Sequence, residues 1–380
     1  MSGQVAQPPV LATYARHDVT LVEGVGTWLV GSDGRTYLDF AAGIAVVGLG
    51  HGHGETTAAA RDQLDRLWHV SNLYWSEPMV RLAERLSERF GGAGAEAFFC
   101  NSGAEAVEAA LKHARKATGR PGAVALEGSF HGRTLGALSV TGQPAKRRAF
   151  EPLPGPVRFV RPNDVESLAA AVGPDTGIVL LEPVLGEGGV VPLEPLFLEA
   201  AAELAAGAGA LLAFDEVQTG VGRTGTFFAF EQAGVRPDLV TLAKGLANGL
   251  PIGCLLVSAD APRGLEPGDH ASTFGGNPVS CAAACAVCDA VDGELLANVR
   301  DMGARLRQGL ERLGAVREVR GLGLLLGAQL DRPASGVVAD CLDRGLLVTA
   351  AGDRVLRLTP PLVVGRGDVD EALDILREVL

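Results

Sequence analysis

Short apolar runs alternate with longer amphipathic or alanine-rich stretches along most of the chain, and the runs at 97–100, 124–126, 177–181, 210–214, 239–243 and 252–257 predict strands. Stretches at helical spacing follow several of them. The pattern predicts repeated strand–helix units that lay a mostly parallel sheet between helices, an α/β fold. One helix start is legible in detail: Ser102 is placed to cap a helix, with Glu105 three residues on to complete a capping box. Val107, Ala110, Leu111 and Ala114 then fall on one face. A further helix is predicted over 277–291. Beyond it the texture changes to Arg-rich amphipathic helices, such as 297–313, and short strands around 322–329 and 355–358, which predicts a second, smaller α+β domain. The opening segment, with strands at 27–30 and 36–40 around the Ser32-Asp33-Gly34 turn, is expected to join it. The expected division is a large domain over 45–290 and a small one built from 1–44 and 291–380.

Composition narrows the classes of function. With 380 residues, 47% hydrophobic and 21% charged, the chain can bury one large core or two smaller ones without staples. A net charge of -12 opposes extended contact with a phosphate backbone, so no nucleic-acid partner is expected. The six cysteines lie in apolar segments without a CxxC pair or a disulfide framework, which fits a reducing compartment. Cys281, Cys285 and Cys288 share one helical stripe; that spacing suits a metal or apolar packing, and the surroundings favour packing. The pair His51 and His53 is metal-like in spacing, while its glycine neighbours favour a loop turn. No bound metal is expected. Residues 1–10 show no basic stretch leading into an apolar one, and no run of about 18 apolar residues occurs. A cytoplasmic protein with no membrane contact is expected.

Polar residues at strand ends are the candidates for chemistry, because ligands of open α/β sheets bind beyond the carboxyl ends of the strands. The run ending in Asp215 and the run ending in Lys244 place a carboxylate and an amine about one helix and one strand apart. Taken alone they fit an ion pair as well as a site. The turn Asn101-Ser102-Gly103-Ala104 leads from a strand into a helix, where free backbone N–H groups and the positive dipole end suit a phosphate. Amine, carboxylate and phosphate cradle together are what pyridoxal phosphate requires.

Six strings carry a family resemblance spanning residues 14–365: Tyr37-Leu-Asp-Phe-Ala-Ala-Gly-Ile-Ala, Phe99-Cys-Asn-Ser-Gly-Ala-Glu-Ala, Phe130-His-Gly-Arg-Thr-Leu-Gly-Ala-Leu-Ser, Asp215-Glu-Val-Gln-Thr-Gly-Val-Gly-Arg-Thr-Gly, Thr241-Leu-Ala-Lys-Gly-Leu and Ser272-Thr-Phe-Gly-Gly-Asn-Pro. They resemble the class-III, or ω-amino, aminotransferases. The resemblance implies the pyridoxal-phosphate-dependent transferase fold of aspartate aminotransferase type and the following roles. Lys244 forms the Schiff base with the cofactor and then shuttles the substrate proton. Asp215 keeps the pyridine nitrogen protonated. Ser102, Gly103 and Ala104 hold the phosphate, which Thr273 reaches from a neighbouring subunit of a homodimer. Phe130 and Val217 cover the two ring faces, with Gln218 near the phenolic oxygen. Arg133 binds a substrate carboxylate with its planar fork, and Ser272 also belongs to the substrate site. Glu187 masks Arg357 until Arg357 is needed for the α-carboxylate of glutamate or 2-oxoglutarate.

Within the family, 42–46, 69–74, 135–144 and 268–278 resemble the branch that moves the ω-amino group of N-acetylornithine to 2-oxoglutarate, a step of arginine synthesis. Apolar Ile44 suits an acylated nitrogen, where enzymes acting on free ornithine tend to carry tyrosine. Ornithine, succinyl-diaminopimelate and 4-aminobutyrate are the alternative donors. An aminomutase is a rival that needs no stoichiometric 2-oxoglutarate, and a ligand-sensing regulator would need a helix-turn-helix segment that the short N-terminus does not offer. Val107, Leu185 and Gly54 depart from residues frequent in the family.

Overall fold

The apolar runs assemble into a seven-stranded sheet in the order Glu96–Cys100, Gly253–Val257, Leu239–Leu242, Leu211–Asp215, Thr176–Leu181, Gly122–Leu126, Val157–Val160. Gly253–Val257 runs antiparallel to both its neighbours and every other pair is parallel. The protein is described by a computed structural model over residues 9–91 and 94–380. The first eight residues of the 1–44 segment lie outside the described residues.

Both sheet faces are covered, which is why its central strands read as unbroken apolar runs. Leu212, Phe214, Val240, Leu242, Val179 and Leu181 point into one core with Phe197, Phe228 and Leu86. Their alternates Leu211, Ala213, Leu239, Ile178 and Leu180 pack against the alanine-rich helix Gly103–Thr118. Alanines there let the helix approach closely. Val107, a departure from the family pattern, is fully buried on this face. The edge strand Val157–Val160 has no counterpart among the predicted strands, because its residues are mostly only half-buried and never form an apolar run. Cys281, Cys285 and Cys288 of the helix Pro278–Ala290 are packed into the first core.

A second core gathers Leu306, Leu310, Leu326, Leu356, Leu373 and Leu376 from the helices Gly293–Glu311 and Arg366–Val379 and the strands beside them. Leu38 and Phe40 from the opening segment enter the same core. The strand of Leu38, Thr36–Asp39, pairs in parallel with Leu346–Leu347, so chain segments far apart in sequence share one sheet. The strands expected around 322–329 form as part of a hairpin of Val316–Leu322 and Leu325–Leu330. Its turn uses Gly323 at φ 54°, and a Cβ there would lie 2.6 Å from the Thr224 carbonyl carbon of the large-sheet loop.

The segment joining Asp39 to the large sheet contains a left-handed turn: Ala42, Gly43, Ile44 and Ala45 have φ of 46°, 64°, 68° and 61°. Asp39 holds its start, accepting from the N–H groups of Ala41 (3.0 Å) and Ala42 (2.7 Å) through Oδ1 and meeting His51 Nε2 at 2.8 Å through Oδ2. His53 caps the helix Gly54–Arg66, its Nδ1 accepting from Thr56 N at 3.4 Å. Each of the paired histidines thus has a structural partner. Among the described residues no helix is long and apolar enough to cross a membrane.

Candidate active site

Five strand ends converge on one cavity of about 400 Å³. The chain leaves Glu96–Cys100 into the turn 101–104, Gly122–Leu126 into the loop carrying Phe130 to Arg133, and Thr176–Leu181 into Glu182; Asp215 closes its own strand, and Lys244 lies two residues past Leu242. Ser102, Gly103, Ala104, Phe130, Arg133, Asp215, Val217, Gln218 and Lys244, all singled out from the sequence, line this cavity.

The turn at 101–104 differs from the expected capping box. Ser102 Oγ does accept from Glu105 N at 3.3 Å, but the Glu105 carboxylate passes back to Asn101, accepting from its N at 2.5 Å and its Nδ2 at 3.0 Å. Ser102 is extended, at φ −157° and ψ 163°, as a residue that caps a helix start usually is. The N–H groups of Gly103 and Ala104 open the helix, where no preceding turn supplies an acceptor, and both residues line the cavity. A Cβ at residue 103 would sit 2.9 Å from both Val217 methyl carbons, so glycine is what allows Val217 to form a wall. A cavity of this size with an anion-binding helix start fits a small phosphorylated ligand.

Asp215 is only 4% exposed and its oxygens are fixed from three sides. Oδ1 accepts from Thr241 Oγ1 at 3.0 Å and from Val217 N at 3.1 Å, and Oδ2 meets His131 Nδ1 at 2.7 Å. Burial opposes charge on His131, but the hydrogen bond and charge of Asp215, with a contribution from Glu182, outweigh it and raise its pKa above the ordinary histidine value. His131 Nε2 is buried without a partner among the described residues. Glu182 is buried as well, accepting from Phe130 N at 2.8 Å and Gly186 N at 3.2 Å, and burial pushes its pKa up to about 7. Neither His131, Thr241 nor Glu182 was assigned a role from the sequence, although His131 and Thr241 lie inside strings quoted for the family.

Lys244 occupies a left-handed backbone conformation at φ 42°. Such a conformation costs a residue with a side chain about 1–2 kcal/mol and is found where surrounding structure imposes it. Part of the residue faces the cavity, while the protein packed around its amine lowers the pKa to about 8. Burial is the main cause, followed by the charge of Arg357; Glu187, Asp215 and Glu182 act in the opposite direction.

Arg133 is exposed at the cavity mouth, its guanidinium carbon 5.5 Å from the Phe130 ring centroid. Arg357 stands behind Gln218 and is 2% exposed. Its Nη1 forms an ion pair with Glu187 and donates to Gly186 O at 3.1 Å and Gln218 Oε1 at 3.3 Å, while Nε donates to Thr349 Oγ1 at 3.0 Å. Burial acts to raise the Glu187 pKa, but the charge and hydrogen bond of Arg357 bring it below the ordinary value. Ser272 is one step removed from the cavity, its Oγ accepting from Asn101 Nδ2 at 3.1 Å. Thr273 is exposed and does not line the cavity of its own chain. Ile44 is 45% exposed in the left-handed turn, and Val46 rather than Ile44 lines the cavity. Leu185 is buried in the large core and does not face the cavity.

The family model described as Aminotransferase class-III matches residues 12–380. The acetylornithine aminotransferase of Streptomyces coelicolor is 49% identical over 379 residues, covering 98% of this chain and 94% of that protein. Among solved structures, the N-acetylornithine aminotransferase of Stenotrophomonas maltophilia superposes with a TM-score of 0.83 at 38% identity, covering 96% of each chain. The ornithine aminotransferase of Toxoplasma gondii, a structure with partial occupancy of pyridoxal phosphate at its active site, superposes with a TM-score of 0.92 at 31% identity, covering 98% of this chain and 92% of that one.

Proposed function

Because the chain belongs to the class-III aminotransferases and uses pyridoxal phosphate, we propose that it moves the ω-amino group of N-acetylornithine to 2-oxoglutarate, giving N-acetylglutamate semialdehyde and glutamate. The observation that carries this is the meeting of four groups around one cavity: the Lys244 amine, the fixed Asp215 carboxylate, the open N–H groups of the 102–104 turn and the Arg133 guanidinium. The acetylornithine aminotransferases at 45–49% identity over nearly the whole chain support this donor.

When bound, pyridoxal phosphate supplies an aldehyde that accepts the amino group and a protonated ring that withdraws electrons from the reacting carbon. Lys244 is the residue that would hold it covalently, and its depressed pKa gives a useful fraction of neutral amine near neutrality. Once free, the same Nζ would take the proton from the donor carbon and carry it to the cofactor's reacting carbon. Asp215 would face the ring nitrogen and favour its protonated form. The hydrogen bonds from His131, Thr241 and Val217 keep that carboxylate in one orientation. Phe130 and Val217 would confine the ring, Gln218 would meet its phenolic oxygen, and the 102–104 turn would hold its phosphate. Arg133 receives the donor carboxylate while Glu187 occupies Arg357; release of Arg357 then admits the α-carboxylate of the acceptor.

The same reading makes the working unit a homodimer in which Thr273 completes the partner's phosphate site and Ser272 orders the segment that carries it. The exposed apolar residues Trp68, Leu73, Trp75 and Phe274, 60–86% accessible in one chain, support a face that a second copy covers. A donor panel measured by glutamate release tests the assignment. N-acetylornithine should give a higher kcat/KM than ornithine, succinyl-diaminopimelate or 4-aminobutyrate, and a better rate with any of those three would displace it. Release of product without consumption of 2-oxoglutarate would instead indicate an aminomutase.

A further inference from the structure

Lys146 is a half-buried cation beside the site with no carboxylate or hydrogen-bond partner among the described residues. Its Nζ lies 4.6 Å from the centroid of the Phe130 ring, the ring that also carries the Arg133 guanidinium. A single carboxylate brings this corner together: Glu182 accepts from Phe130 N with one oxygen and from Gly186 N with the other. The turn that bears Glu187 is thereby tied next to the ring on which Lys146 rests. Glu182 has both oxygens committed, whereas Glu187 is 24% exposed and, among the described residues, pairs with Arg357 alone.

Counting charges gives Lys146 a task. In the donor complex one substrate carboxylate and Glu187 face two arginines, and each anion has a partner. The acceptor is a dicarboxylate, so its two carboxylates take Arg133 and Arg357 and leave Glu187 displaced. A displaced carboxylate that stays partly buried without a counter-charge opposes the displacement. We propose that Lys146 is the cation that receives Glu187 when Arg357 is released to the acceptor, making it a positioning residue for the second half of the reaction. Burial lowers the pKa of the Lys146 ammonium; of the charges around it that of Glu187 acts most strongly, in the opposite direction, with Arg133 and Arg357 against it and Glu182 alongside it.

This inference rests on the acceptor being a dicarboxylate, and equilibrium binding to the holoenzyme tests it apart from turnover. The probes are glutarate, an unreactive dicarboxylate, and N-acetylnorvaline, which is the proposed donor without its ω-amine. Lys146→Met should weaken glutarate by about tenfold, the scale of a half-buried ion pair, and leave N-acetylnorvaline within about twofold. Lys146→Arg should restore glutarate binding. In a Glu187→Gln background the Lys146→Met penalty should vanish, since no carboxylate then needs a new partner. A penalty that persists in that background would mean that Lys146 touches the ligand itself and would overturn the proposal. Equal weakening of both probes, or of neither, would overturn it too. Failure of the donor assignment shows separately, as wild-type enzyme that does not bind N-acetylnorvaline while still binding glutarate.

Discussion

Replacing Gly103 with alanine tests whether the 102–104 turn and Val217 form two sides of one cofactor slot. The new methyl group would lie 2.9 Å from both Val217 methyl carbons. Ordinary carbon–carbon contact is about 3.5–4.0 Å, so Val217 or the turn must give by about 0.6–1.1 Å. Overpacking of this kind costs about 1–3 kcal/mol. If the displaced wall is one that the ring must touch, that cost appears as roughly 5- to 150-fold weaker cofactor binding. Apoenzyme titrated with pyridoxal phosphate and followed by absorbance measures it, with the melting temperature of the apoenzyme recorded in parallel. Gly54→Ala is the control, because a Cβ at residue 54 meets nothing within 4 Å. An unchanged half-saturation point for Gly103→Ala would refute the slot, whatever happened to the melting temperature.

Lys244→Ala should abolish turnover, and in the wild-type apoenzyme the rate of covalent cofactor capture should rise with pH and level off above about 8, where the amine is neutral; a rate still climbing at pH 10 would mean the amine is not depressed. Glu216, fully buried and accepting from Phe230 N at 3.0 Å and from the Thr219 hydroxyl, has its pKa raised from 4.5 to about 7 by burial. The folded state therefore holds this proton more tightly than the unfolded chain, and stability falls as pH rises from 4.5 through 7, by about 3 kcal/mol for this group. Glu216→Gln should narrow the difference in melting temperature between pH 5 and pH 8; an undiminished difference would remove Glu216 as a source. Arg133→Ala should raise the KM for N-acetylornithine by the equivalent of roughly 2–5 kcal/mol if its carboxylate pair is desolvated in the complex, and steady-state kinetics showing an unchanged KM would deny it that contact.

The strands of the large sheet were legible because burial on both faces leaves an unbroken apolar signature, as at 177–181 and 210–214. Val157–Val160 lacked that signature because an edge strand is only partly covered. Site residues were legible where a polar side chain breaks an apolar strand end, as Asp215 and Lys244 do. His131, Thr241 and Glu182 escaped notice for the opposite reason: His131 and Thr241 serve Asp215, Glu182 serves the N–H groups of Phe130 and Gly186, and their neighbours in sequence do not reveal that. His131 and Asp215 are 84 residues apart and meet at 2.7 Å only because the strand order brings their ends together. The hairpin turn at Gly323 was missed because the constraint on it comes from Thr224, a residue on the other sheet's loop.

The run of positive φ angles from Ala42 to Ala45 sets a conflict for anyone engineering this enzyme. Glycine is the residue that adopts such angles without penalty, and each of the other three costs about 1–2 kcal/mol relative to it. Glycine at 44, the exposed position of the run, would relieve that strain, whereas Ala42 and Ala45 are buried and glycine there would also remove a packed methyl group. Variants hardened at 44 should be screened for substrate range from the outset, because Val46, two residues on, lines the cavity.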